Sequence, residues 1–170
     1  MKYMFASDVH GSAYYCRKML DVYKEEKAER LVLLGDLLYH GPRNDLPREY
    51  APKQVISMLN DMKKEIYAVR GNCEAEVDQM VLQFPVMADY CILNLDGRTF
   101  YATHGHIYNE NNLPPIQEGD ILIHGHTHVL KAEQKEGYVL LNPGSVSIPK
   151  EGKDRKSTRL NSSHEWISYA

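Results

Sequence analysis

A chain of 170 residues, 43% hydrophobic and 25% charged, has the length and composition of one soluble globular domain with a proper core. The formal charge of −3 argues against nucleic acid as the main partner, and no stretch offers a signal peptide or a run of about 18 apolar residues for a membrane. The three widely spaced cysteines, Cys16, Cys73 and Cys91, make neither a disulfide framework nor a CxxC site, so a reducing cytoplasm is expected.

In chain order, the apolar run KYMFAS at 2–7 predicts a strand that stops at Asp8-Val9-His10-Gly11. Ser12 is a candidate N-cap for a helix reaching about Glu29, with Cys16, Met19, Leu20 and Tyr23 at helical spacing. RLVLL at 30–34 is continuous and β-rich, as in a strand covered on both faces, and it stops at Gly35-Asp36. Residues 39–52, with three prolines and a glycine, read as a loop. A second amphipathic helix is expected over 53–64, and a third strand over 65–69 ends in Arg70-Gly71-Asn72-Cys73-Glu74. Three β-to-α units in succession thus place Asp8 and His10, Asp36 and Asn72 beyond the carboxyl ends of strands, where open α/β sheets bind ligands.

After a short helix near 75–83 the pattern changes. Segments 90–95 and 98–103 flank Asp96-Gly97, a two-residue turn of hairpin type, and the second ends at His104-Gly105-His106. The strand at 120–124 leads into ILIHGHTHV, where His124, His126 and His128 alternate around Gly125. A hairpin over 129–134 and 138–141 precedes Asn142-Pro143-Gly144-Ser145. Units of βα type followed by hairpins predict two packed sheets with helices outside. Five of the eight histidines lie between 104 and 128, a density that suits a metal better than a solvated surface.

The ordered series D-x-H-G at 8–11, G-D at 35–36, G-N-C-E at 71–74, H-G-H at 104–106 and G-H-T-H at 125–128 resembles the calcineurin-like metallophosphoesterases, over residues 1 to about 150. The resemblance implies a four-layer α-β-β-α sandwich whose C-terminal strands are truncated here. It implies a phosphodiesterase in which two divalent ions, roughly 3.5–4 Å apart, activate a hydroxide to attack phosphorus. By the same resemblance, Asp8, His10, Asp36 and His128 hold the first ion, and Asp36, Asn72, His104 and His126 the second, with Asp36 bridging. Asn72, Cys73 and His104 are the residues expected at the reacting phosphate. Mixed oxygen and nitrogen ligands suit Mn²⁺, with Fe²⁺ or Zn²⁺ as alternatives, better than Mg²⁺ or Ca²⁺.

Cys73 departs from the superfamily, which commonly carries there the histidine held to protonate the leaving group. His106 is expected near the substrate, His124 as a packed residue behind the ligands, and His40 and Arg43 as candidate loop contacts. The expected partner is a small phosphodiester, and a homo-oligomer is compatible with the sequence. The rival readings are a phosphomonoesterase and a metal-binding interaction scaffold of the same superfamily, related to Vps29, with little catalysis. A scaffold is free to lose ligands, and all seven remain.

Residues 1–150 form the expected domain and 151–170 a tail. From Asp154 onward the chain is polar, without helix or strand periodicity, and DRKSTRLNSSH resembles a translated sequencing-library adapter. The tail is expected to be non-native and flexible, and His164 and Trp166 to carry no chemistry.

Overall fold

A computed structural model describes residues 1–150, 157–160 and 166–169. Strand β1 (Tyr3–Ala6) leads to helix α1 (Ala13–Glu25), β2 (Arg30–Leu33) to α2 (Pro52–Asp61), and β3 (Ile66–Ala68) to the short α3 (Glu76–Val81). The hairpin β4 (Tyr90–Leu95) and β5 (Arg98–Thr103) follows, then β6 (Asp120–His124) and a second hairpin, β7 (Leu130–Gln134) and β8 (Tyr138–Pro143). Strands β9 (Ser157–Leu160) and β10 (Trp166–Tyr169) close the order.

Ser12 caps α1 as expected, its hydroxyl accepting from the Tyr15 N–H at 3.2 Å. The helix stops at Glu25, short of the expected Glu29. Lys27 turns into the left-handed region (φ 51°) and the Ala28 N–H bonds back to Tyr23 O, which closes the helix end and frees Arg30 for the sheet. At the first hairpin both turn residues have positive φ, 49° at Asp96 and 78° at Gly97, the twist a two-residue connection needs.

Two five-stranded sheets result, ordered β10-β9-β1-β2-β3 and β4-β5-β6-β8-β7. In the first, β1, β2 and β3 are parallel; in the second, the inner strands β5, β6 and β8 are parallel and the flanking β4 and β7 antiparallel. Buried side chains alternate accordingly. Met4, Ala6, Leu31 and Leu33 face α1 and α2, while Phe5, Val32 and Leu34 meet Phe100, Ala102, Ile121 and Ile123 between the sheets. The Phe5 and Phe100 rings stack at 6.0 Å across that interface.

The α/β sandwich is therefore the architecture found, with one layer thinner than expected. Among the described residues no helix follows α3. The outer face of the second sheet, at Leu122, Tyr138 and Leu140, packs with Tyr101 and Ile116, the latter from the loop before β6.

The tail also differs from expectation. β9 pairs antiparallel with β1 and β10 with β9, at the β1 edge of the first sheet. An open edge offers backbone donors and acceptors to any segment within reach, so pairing there needs no alternating side-chain pattern. The remaining tail residues, on which the reading of a flexible adapter-like extension also rests, lie outside the described residues.

Candidate metal centre

Parallel strands put their carboxyl ends on one edge, and both sheets have parallel strands at their centres. The loop after β1 carries Asp8 and His10, that after β2 carries Asp36, and that after β3 carries Asn72 and Cys73. From the second sheet, His104 follows β5, and His126 and His128 follow β6. The His126 N–H joins the two edges by donating to Asp8 Oδ2 at 3.0 Å, and within the second sheet the Gly125 N–H donates to His104 O at 2.9 Å. Gly125 is required there, because any Cβ at this position would collide with the Ser7 side chain and come within 2.7 Å of Asp8 Oδ2.

The seven side chains form two groups. In the first, Asp8 Oδ1 lies 3.5 Å from His10 Nε2 and 3.2 Å from His128 Nε2, and those two nitrogens are 3.2 Å apart. In the second, His104 Nε2 lies 3.0 Å from Asn72 Oδ1 and 3.2 Å from His126 Nδ1. Asp36 stands between them, its Oδ2 3.8 Å from His10 Nε2 and 3.5 Å from His104 Nε2. Its other oxygen is taken by the Cys73 N–H at 2.9 Å.

Three of the imidazoles are oriented by backbone carbonyls. His10 Nδ1 donates to Tyr39 O at 2.8 Å, His104 Nδ1 to Leu34 O at 2.7 Å, and His128 Nδ1 to Ile148 O at 2.7 Å. In a neutral ring with its proton at Nδ1, Nε2 presents a lone pair. The Nε2 atoms of His10 and His128 thus face each other and Asp8 Oδ1, a buried oxygen with no hydrogen-bond partner among the described residues. Asn72 likewise aims its carbonyl oxygen at His104, its amide nitrogen donating to Cys73 Sγ at 3.4 Å. A buried set of acceptors without donors is costly unless a cation sits among them. The donor chemistry fits divalent metal, and Asp8, His10 and His128, and also Asp8, Asp36 and His104, each place their ligand atoms within 4.8 Å of one another.

The backbone is unusual where the donors are. Asp8, His10, Asp36, His126 and His128 all have φ between 48° and 66°. Such left-handed conformations cost a non-glycine residue roughly 1 kcal/mol or more, so the surrounding hydrogen bonds must enforce them.

Electrostatics follows from burial and crowding. Burial alone would push the Asp8 carboxyl up, but the imidazoles of His10, His128 and His104 crowded beside it hold it far below the usual carboxylate range. Burial pulls the His10 imidazole down, yet Asp8, the Tyr39 carbonyl and Asp36 together leave it raised. Burial and then His104 lower His126. Burial first, and then the charge of Asp36, push the Cys73 thiol well up.

The other sequence candidates are also placed. Cys73 is half-buried beside His10 and Asp36, the three ligand atoms lying within 4.8 Å of one another. The loop bearing His40 and Arg43 reaches the site at Gly41, where a Cβ would stand 3.7 Å from Cys73 Sγ; Arg43 itself is exposed. His106 is half-buried, its ring 5.3 Å from that of His104. His124 is buried, its Nδ1 donating to Gly125 O at 3.0 Å, and its Nε2 has no partner among the described residues.

Sequence reasoning missed Glu74. Its buried carboxylate accepts from the backbone N–H groups of Asp36, Leu37 and Gly71 at 2.8, 2.7 and 2.6 Å, tying the loops after β2 and β3 together. An acidic residue before a short helix reads as an ordinary first-turn charge, which is why the pattern alone did not find it.

Parallel strand ends converging on a carboxylate shared by two clusters of nitrogen and oxygen donors define a metal-dependent phosphoesterase. The chain belongs to the calcineurin-like phosphoesterase superfamily, whose domain matches residues 1–164. It is 48% identical over 152 residues to phosphodiesterase YfcE of Escherichia coli, covering 89% of this chain and 83% of that protein. The solved structure of the E. coli phosphoesterase YfcE superposes with a TM-score of 0.93 at 46% identity, over 95% of this chain and 88% of that one. Vps29 from Entamoeba histolytica, solved with zinc, shares the fold at a TM-score of 0.63 and 19% identity, over 99% and 97% of the two chains.

Proposed function

We propose that this protein is a phosphodiesterase that works with two divalent ions, Mn²⁺ in first place and Fe²⁺ or Zn²⁺ as alternatives. Asp8, His10, Asp36 and His128 would hold one ion, and Asp36, Asn72, His104 and His126 the other. The observation that carries this reading is the position of Asp36 Oδ2, 3.8 Å from His10 Nε2 and 3.5 Å from His104 Nε2, between two donor groups that otherwise share no atom. When bound, two such ions supply Lewis-acid activation of water and neutralise charge on the phosphoryl oxygens.

The chain's own residues do the rest. Asp36 ties the two donor groups, and its orientation is set by the Cys73 N–H. Asn72 and His126 lie on the side on which the site is more open, Asn72 being exposed and His126 half-buried, with His104 buried behind them. Cys73 occupies the position of the leaving-group proton donor. Its thiol, pushed up by burial and by Asp36, stays protonated and is a weak acid there. That favours esters whose leaving group departs without help. The similarity to YfcE supports a diester over a monoester, and the net charge of −3 favours a small diester over nucleic acid. The three free cysteines fit a cytoplasmic location.

The test is hydrolysis of bis(nitrophenyl) phosphate and nitrophenyl phosphate by protein stripped with chelator and then reloaded with Mn²⁺. Diester turnover is expected only after reloading, with the monoester slower. Undiminished turnover after exhaustive chelation overturns metal dependence. Faster monoester hydrolysis makes the protein a phosphomonoesterase, and tight Mn²⁺ binding without turnover makes it a scaffold.

A further inference from the structure

The loop after β8 contributes no donor to either group, yet it grips two residues of one of them. The Asp8 carbonyl oxygen accepts from Ser145 Oγ at 2.8 Å and from Ser147 Oγ at 3.1 Å, across some 140 residues of chain. Both serines are buried, as is Asp8. Asp8 has φ 59°, a conformation that turns its carbonyl away from the direction the strand would give it. With the two hydroxyls in place, both lone pairs of that buried oxygen are used and the left-handed turn is held.

The same segment fixes its neighbours. The Val146 N–H donates to Ser7 O at 3.0 Å, immediately before Asp8. Ser145 Oγ accepts from the Ile148 N–H at 2.9 Å, and Ile148 O in turn accepts from His128 Nδ1 at 2.7 Å. Asp8 and His128 are therefore oriented from one short stretch, and both belong to the first donor group. His104 is oriented instead by Leu34 O, and the peptide leading into His126 by Asn142, whose Nδ2 donates to Gly125 O at 2.9 Å.

We propose that Ser145 and Ser147 are positioning residues chiefly for the first metal position, setting the Asp8 carboxylate and His128 Nε2 at the spacing that holds an ion there; the second position feels Asp8 only through the His126 N–H on Asp8 Oδ2. The proposal rests on the two-ion reading above. The hydroxyls act through the backbone of Asp8 and touch neither ion nor substrate. Partners that orient metal ligands in this way typically matter by about 10- to 100-fold in metal affinity.

Two backgrounds separate the positions: Asn72→Ala leaves the first intact, and His128→Ala leaves the second. Calorimetric Mn²⁺ titration is run on each, with and without Ser147→Ala, after melting curves confirm folding. Ser147→Ala is expected to weaken binding about tenfold in the Asn72→Ala background and by no more than about twofold in the His128→Ala background, with Ser147→Thr restoring the loss. A stability role alone would weaken both backgrounds equally or neither, and either result overturns the proposal. The unsubstituted protein provides the separate check on the reading beneath it. If it takes up fewer than two Mn²⁺, the two-ion reading fails and the proposal with it; if it takes up two and the backgrounds respond alike, the proposal alone fails.

Discussion

The two donor groups share Asp36 but differ in how they are enclosed. Asp8, His10 and His128 are at most 5% exposed, and carbonyls of the loops after β2 and β8 orient both imidazoles. The second group has one sealed member, His104, while Asn72 is exposed and His126 only half-buried. A sealed group is preorganised, and its acceptors have no solvent to turn to. A group open on one side can admit a phosphate oxygen. The asymmetry suits one position for holding the structure of the centre and another for meeting substrate.

The largest effect should come from the residue that belongs to both groups. Asp36→Asn removes the charge that lies between them and should lower diester turnover by on the order of a thousandfold, with metal content falling below two per chain. Elemental analysis and steady-state rates check this together. If Asp8→Asn proves far more damaging, Asp36 is not the shared ligand and the division into two groups is drawn wrongly.

Next in size is Cys73→His, at the open side. General acid catalysis is typically worth about 10²–10⁴-fold when geometry and pKa suit, and the Cys73 thiol is pushed the wrong way. The variant should gain about a hundredfold or more on esters with poor leaving groups and little on nitrophenyl esters, flattening the dependence of rate on leaving-group pKa. A uniform change across leaving groups at equal metal content would show that position 73 does not deliver the proton.

The smallest effect, and the sharpest on the comparison, is the order of acid release. His10 is raised, chiefly against burial by Asp8, so it takes up its proton earlier as pH falls from neutral. His126 is lowered by burial and His104, so it stays neutral to a lower pH. Metal ligation needs the neutral ring, and an unperturbed histidine titrates near ~6.5. The ion of the sealed group should therefore be lost first, by about tenfold in affinity for each unit of pH below the His10 transition. Titrating Mn²⁺ at several pH values in the Asn72→Ala and His128→Ala backgrounds would reverse this view if the second position weakens at the higher pH.

Much of this centre could be read before any coordinates. Each strand that ends in a polar residue beside glycine announces an edge, and Asp8, His10, Asp36 and Asn72 follow from that pattern alone because strand period and turn chemistry are local. Alternating histidines at 124, 126 and 128 mark a metal-like cluster, but the pattern alone does not say which members point inward; only the resemblance to the superfamily singles out His126 and His128 as ligands and His124 as packed behind them. The structure turns His126 and His128 toward the donors through left-handed backbone and leaves His124 against Gly105 and Gly125. The thinner outer layer and the pairing of β9 with β1 were equally invisible, since neither depends on a side-chain period.

What the sequence by itself determined was the inventory of donors, their order along the chain and the two sheets that carry them, because hydrophobic period and glycine placement act over a few residues. Only the tertiary structure decided that Glu74 binds two loops through three backbone N–H groups, and that Ser145 and Ser147 reach back to Asp8. Those contacts join residues far apart in the chain through backbone atoms, which are the same in every residue and so leave no mark in the pattern of side chains.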